Sequence, residues 1–221
     1  MPKYLRHMTY IPPESSVFDL PHEKKAALIS LLTDEDPEVF KTIRDEIMSH
    51  GSGVRTWLAP YSLNEDPLLR RRPQEIVTHF DRADADIVFS AFCLNHGEEL
   101  DLEEGCWLLA RTVYTDINVS AYRAILDDFA HELMLQLDFG SEPEGIVAGV
   151  NQHLFKACGF TGNEEDYYHP DNSYLNRVID RHTGSPISMC ILYMAVCRRL
   201  GLPVTGIGLP GHFLCRFQNP Q

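Results

Sequence analysis

The chain has 221 residues, of which 44% are hydrophobic and 23% charged, the balance of an ordinary globular protein and not of a fibrous or disordered one. Nineteen Lys and Arg stand against 32 Asp and Glu, a net charge of −13, so the surface field repels phosphate backbones and anionic lipids and disfavours nucleic-acid and membrane binding. No run is long and apolar enough for a membrane-spanning helix. The opening segment MPKYLRHMTYIPPESS has neither the apolar stretch nor the cleavage site of an export signal, and a cytoplasmic protein with reduced thiols is expected.

Taken in chain order, His22–Thr33 follows Pro21 and carries apolar residues at helical spacing. A second helix over Asp36–His50 opens on Asp36-Pro37, an N-cap followed by proline at the first helical position, and stops before Gly51. Gly51–Arg72 is rich in breakers and reads as a long loop, with Arg70-Arg71-Arg72 a solvated basic run ahead of Pro73. Gln74–His96 reads as a helix or a broken pair, DRADAD being either a break or an exposed turn. Amphipathic helices follow over Asp101–Tyr114 and Ser120–Leu137, the latter with Tyr122, Ile125, Leu126, Phe129, Leu133 and Leu137 on one stripe. Glu144–Gly159 is another helix, with Gly159 as its stop.

Gly184–Gly201 is the most informative segment. Ser185 caps a helix, Pro186 takes its first position, Gly201 ends it in a left-handed conformation and Pro203 blocks continuation. Ile187, Cys190, Ile191, Met194 and Cys197 form an apolar stripe, which makes this a core helix. Arg198-Arg199 complement its C-terminal dipole. Two strands, Val204–Leu209 and Gly211–Phe217, follow with Pro210-Gly211 between them. The expected class is a helix-dominated α+β fold: a helical region over residues 1–100, then a core over residues 101–221 with a small antiparallel sheet.

Several blocks in this half carry a resemblance. They are Leu154-Phe155, Gly159-Phe160-Thr161-Gly162-Asn163, Asp166-Tyr167-Tyr168, and Asn172-Ser173-Tyr174-Leu175-Asn176-Arg177-Val178. Further along come Gly184-Ser185-Pro186-Ile187-Ser188, Arg199-Leu200-Gly201-Leu202-Pro203 and Leu209-Pro210-Gly211-His212-Phe213-Leu214. Together, over about residues 100–217, they resemble the SirB-type transglutaminase-like family, a block also found in an F-box protein of animals. The resemblance implies a papain/transglutaminase-like α+β core in which a buried helix packs on an antiparallel sheet. It also implies a Cys–His–Asp arrangement, with the thiol at the helix entrance and the histidine on the next strand.

In that register Pro186 holds the place of the nucleophilic cysteine, and His212 matches the histidine. The family continues into a further strand carrying an Asp-Pro motif, whereas this chain ends at Gln221, so the core is expected to lack its last strands. Ser188, one turn into the helix, has two readings: a nucleophile served by His212, or a hydroxyl bonded locally at a helix start. Cys190 and Cys197, on the apolar stripe, read as inert buried thiols, and Cys215, an odd number of residues past His212, lies on the opposite face of the strand. A polar block offers a second candidate site. Tyr167, Tyr168, Asn172, Tyr174 and Arg177 either recognise a peptide or small polar ligand, or fix their own loop. No CxxC, HExxH or comparable spacing points to a metal, and no cofactor motif occurs.

Three functions follow: a non-catalytic transglutaminase-like binding or regulatory module with a protein or peptide partner, a hydrolase or acyltransferase using His212 with Ser188 or a cysteine, and a helical interaction scaffold.

Overall fold

The computed structural model describes residues 19–96 and 100–218; the reading of the opening segment as lacking an export signal therefore falls outside the described residues. The chain divides into two compact units, one ending at Ser90 and the other beginning at Ala91.

The first unit is built from α1 (His22–Leu32), α2 (Pro37–Ser49), α3 (Val54–Leu58) and most of α4 (Pro67–His96). Asp36 caps α2 by accepting from the Glu38 amide, as expected. Leu28, Leu32, Ile47, Val54, Leu58 and Ile76 form its core.

The expected long loop over 51–72 is instead mostly helical: α3, a 3-10 turn over Ala59–Leu63, and the start of α4. Asp66-Pro67 repeats the Asp36-Pro37 chemistry, with Asp66 accepting from the Leu68 amide at 2.8 Å. Arg72 is not a solvated charge. Its Nη1 donates to the carbonyls of Leu32 and Asp34, both at 2.6 Å, closing the C-terminal end of α1, and its guanidinium lies 4.3 Å from the Phe40 ring centroid. DRADAD does not break α4, because Asp81 and Asp84 share a helix face and both accept from Arg55 Nη1 at 2.8 Å. Pro73 lies within the helix and is buried.

The second unit contains α5 (Leu102–Arg111), α6 (Val119–Gln136), α7 (Pro143–Asn151), α8 (Leu175–Arg181) and α9 (Pro186–Arg199). A hairpin of β3 (Val204–Leu209) and β4 (His212–Phe217) pairs antiparallel with Leu209 opposite His212. A two-residue parallel bridge joins β1 (Thr161–Gly162) to β2 (Thr183–Gly184). The fold is thus helix-dominated α+β with a small antiparallel sheet. The expected single helix over 144–159 is α7 followed by a π-turn over Gln152–Ala157, in which the Cys158 amide donates to the His153 carbonyl at 2.8 Å.

Helix α9 is the centre of this unit, but its buried face is not the expected stripe. Met189, Leu192, Tyr193, Val196 and Cys197 are buried, whereas Ile187 is 55% exposed and Cys190, Ile191 and Met194 are half-buried. The helix is apolar most of the way round, so spacing alone leaves its phase open. α6 and α8 pack on it, as do β3 and β4, which is why no single stripe suffices. Cys93 is exposed, although its neighbours in sequence are apolar.

The C-terminal end of α9 is held by a buried carboxylate. Glu103 is 5% exposed and accepts from Arg198 Nη2 and Arg199 Nη1, both at 2.7 Å, and from Trp107 Nε1 at 3.2 Å. Burial alone would raise its pKa; the bonds from Arg199 and Trp107 and the charges of both arginines outweigh that and hold it below the usual carboxylate range. A lowered carboxyl stabilises the fold above the unfolded-state pKa, and the contribution fades as pH falls through the lower folded value. Glu103→Gln is expected to cost about 3 kcal/mol at neutral pH. Urea denaturation should find that the gap between variant and native chain narrows below about pH 4.

Candidate functional site

The entrance of α9 is assembled from three separated segments. Ser185 is its N-cap: the Oγ accepts from the Ser188 amide at 3.2 Å while the Ser185 carbonyl accepts from the Met189 amide at 3.0 Å. Pro186 occupies the first helical position and is exposed. Upstream, the β1–β2 bridge is continued by the Thr161 amide donating to the His182 carbonyl at 3.0 Å and the Asn163 amide donating to the Gly184 carbonyl at 3.1 Å. His182 ends α8 in the left-handed region, with φ 53°, and its ring stacks on Phe160 at 4.4 Å.

Asn172 ties these segments together. It is 1% exposed, and its side chain is fully used: Nδ2 donates to the carbonyls of Asp166 at 2.8 Å and Tyr167 at 3.1 Å, and Oδ1 accepts from Asn163 Nδ2 at 2.9 Å. Its backbone carbonyl accepts from the Ser185 amide at 2.9 Å and from Ser188 Oγ at 2.6 Å. Gly184 is required by close approach, since a Cβ there would stand 2.6 Å from Ser188 Oγ and 3.0 Å from Val178 Cγ2.

Ser188 and His212 are not brought together by a hydrogen bond among the described residues. Ser188 is 3% exposed, and its hydroxyl donates into the loop. His212 is exposed at the start of β4, on the strand face it shares with Leu214 and Arg216; Phe213, Cys215 and Phe217 form the more buried face. Cys190 and Cys215 meet where α9 packs on β4: Cys190 Sγ donates to the Phe213 carbonyl and Cys215 Sγ to the Cys190 carbonyl, each at 3.5 Å. They line an apolar cavity of about 240 Å³ with Phe155, Met189, Tyr193 and Phe217. Burial, with Cys190 beside it, pushes the Cys215 thiol up to about 12; burial alone takes Cys197 to about 12. Cys106 is pushed to about 11 by burial and by the charges of Glu103 and Asp101.

The residues of the polar block separate into three environments. Tyr167 and Tyr168 meet edge to face at 5.1 Å and project outward, 55% and 90% exposed. Asn172 is the interior lock. Tyr174 and Arg177 join a network that sequence reading did not find: Tyr114 donates to Asp171, Arg177 Nε donates to Asp171 at 3.1 Å, and Arg177 Nη1 donates to Asp180 at 3.1 Å. Tyr174 lies edge-on to Tyr114 at 5.5 Å. The Tyr114 bond, helped by Arg177, holds the Asp171 carboxyl below its ordinary value, and burial and Asp171 together raise the Tyr114 phenol. Tyr114 lies 57 residues from Asp171, so no local spacing announces the pair. Among the described residues no group of three or more His, Cys, Asp or Glu is placed to hold a metal ion. No helix of the described residues is long and apolar enough to cross a membrane.

Residues 120–221, a little under half of the chain, match the model of the transglutaminase-like superfamily. A UPF0162 protein of Xylella fastidiosa is 39% identical over 119 residues, which are 54% of this chain and 42% of that protein. F-box only protein 21 of Mus musculus is 36% identical over 85 residues, 38% of this chain and 13% of that protein. A UPF0162 protein of Vibrio cholerae is 24% identical over 122 residues, 55% of this chain and 45% of that protein. The chain thus spans less than half the length of the curated relatives it matches. No solved structure matches it.

Replacing Asn172 with alanine strands buried carbonyls and is expected to cost about 3 kcal/mol. Limited proteolysis should then cut within residues 163–171 at concentrations of protease that leave the native chain whole. Cleavage at an unchanged rate would show that the carboxamide does not hold the loop.

Proposed function

We propose that the chain is a non-catalytic transglutaminase-like protein that acts as a binding or regulatory module for a protein or peptide partner in the cytoplasm. The observation that carries this reading is the occupancy of the α9 entrance. In the register of the family resemblance, Pro186 stands where acyl chemistry needs a thiol, and a proline ring supplies neither a nucleophile nor an N–H. Of the two hydroxyls at the entrance, that of Ser185 accepts from the Ser188 amide as the cap, and that of Ser188 is buried and donates to a backbone carbonyl; neither bonds to His212 among the described residues. The nearest thiol on the helix, Cys190, bonds to a strand carbonyl. The helix entrance is therefore built for closure of the loop 163–174 and leaves no nucleophile to His212.

The similarity to F-box only protein 21 gives an animal protein in which the same block occurs inside a much longer chain, consistent with a module that works as part of an assembly. The surfaces offered by this half are the exposed Tyr167–Tyr168 pair and the Tyr114–Tyr174–Arg177 network, with aromatic faces and directional donors suited to a peptide.

Two measurements test the proposal. Incubation with a fluorescent amine and a glutamine-containing peptide should give no conjugate, and release of amine from an amide substrate should not exceed the blank; turnover that disappears on His212→Ala would refute it. Because burial raises the thiols of Cys106, Cys197 and Cys215, their thiolate forms are scarce at neutral pH. Iodoacetamide labelling of these three should become appreciable only above about pH 10, read by mass spectrometry of peptides. Fast modification of one of them at pH 7 would point to an activated nucleophile and against a module.

A further inference from the structure

The first unit carries a groove whose lining is opposite in sign to the chain's net charge. Four of the chain's 19 lysines and arginines, Arg44, Arg70, Arg71 and Arg82, line a single open groove of about 750 Å³ between α2 and α4. The spacing explains the convergence. Residues 70, 74, 78 and 82 recur every fourth position of α4 and so lie along one face, with 71, 75 and 79 beside them; Arg44 and Met48, four apart on α2, form the opposite wall. Glu75 is the one acidic residue among the described lining, and it pairs with Arg71 at 3.3 Å; Arg44 pairs with its neighbour Asp45 at 2.9 Å. Arg70 gives Nη1 to the Asn64 carbonyl, a neutral partner, and makes no ion pair among the described residues. In a chain of net charge −13, the groove lining thus holds four arginines against one glutamate, and its α4 wall runs from Arg70 to Arg82, roughly 18 Å at the helical rise.

We propose that this groove is a docking surface for an acidic peptide segment of a protein partner. It deepens the binding-module reading by naming a surface and the chemistry of its occupant, in the unit that the family match does not cover. The guanidinium fork matches a carboxylate in two parallel hydrogen bonds. Met48 gives the groove a soft apolar contact for the stems of glutamate side chains. An extended chain advances about 3.3 Å per residue, so about six residues span the α4 wall. A short acidic segment meets the local cationic field within a Debye length of about 8 Å.

The test uses the full chain and a fluorescein-labelled hexaglutamate, read by anisotropy at about 50 mM salt. Saturable binding is expected. It should weaken at least tenfold with Arg70→Glu and Arg71→Glu combined and by a smaller factor with Arg70→Gln and Arg71→Gln combined, and it should fade at about 0.5 M salt. Both pairs are exposed, and circular dichroism should show unchanged helix content; if either pair fails to fold, the single variant Arg44→Gln must still weaken binding. Absence of binding by the native chain, or equal affinity in folded variants, overturns the proposal. So does a labelled thymidine hexanucleotide that binds as tightly as the peptide, which would make the groove a site for nucleic acid. None of these outcomes bears on turnover at the α9 entrance, so the two readings fail separately.

Discussion

A buried carboxamide must find a partner for each of its donors and acceptors inside the protein, because water does not reach it to substitute. Asn172 meets that demand by binding the carbonyls of Asp166 and Tyr167 and the amide nitrogen of Asn163, and its own carbonyl then receives the Ser185 amide and the Ser188 hydroxyl. One residue thereby fixes the loop ahead of α8, the β1–β2 bridge and the first turn of α9. The functional consequence is direct. Of the N–H groups that make a helix entrance a place for a thiolate or oxyanion, the one at position 186 is absent and those of Ser188 and Met189 are committed to Ser185.

The two ends of α9 are held by different physics. At the entrance the bonds are neutral, short-range and insensitive to pH between the ordinary titrations of side chains. At the exit the bonds are charge-assisted, Glu103 receiving Arg198 and Arg199, with Arg199 also reaching Asp127 on α6. Between the ends, the helix buries Leu192, Val196 and Cys197 completely. A helix fixed at both ends and packed on both sides has little freedom to rearrange around a substrate.

Much of this was legible in the residues. Caps and stops are local chemistry, and Asp36-Pro37, Ser185-Pro186 and Gly201 fall where their side chains and backbone freedom require; Gly201 has φ 67°. The hairpin around Pro210-Gly211 was equally local. Three things were not. Asp66-Pro67 carries the same cap signal as Asp36-Pro37, but the density of breakers from Gly51 onward masked it. The phase of α9 is undetermined by a sequence apolar on nearly every side, so Ile187 was placed inward and is exposed. Arg72 looked like part of a solvated run because its partners, the carbonyls of Leu32 and Asp34, are 40 and 38 residues away. Around the candidate site the same division holds. That Asn172 locks a loop was one of two readings open from its type, whereas Tyr114 with Asp171 and the α4 arginines facing Arg44 depend on how distant segments meet.

Native-state hydrogen exchange at the α9 entrance tests the central claim most directly. If the Asn172 lattice closes that entrance, the amides of Asn163, Ser185 and Ser188 will be protected to within about tenfold of Leu192 and Val196 in the middle of the helix. Exchange of those three at the rate of the exposed Glu164 amide would mean that the entrance opens freely, and the proposal of a closed helix start would fail.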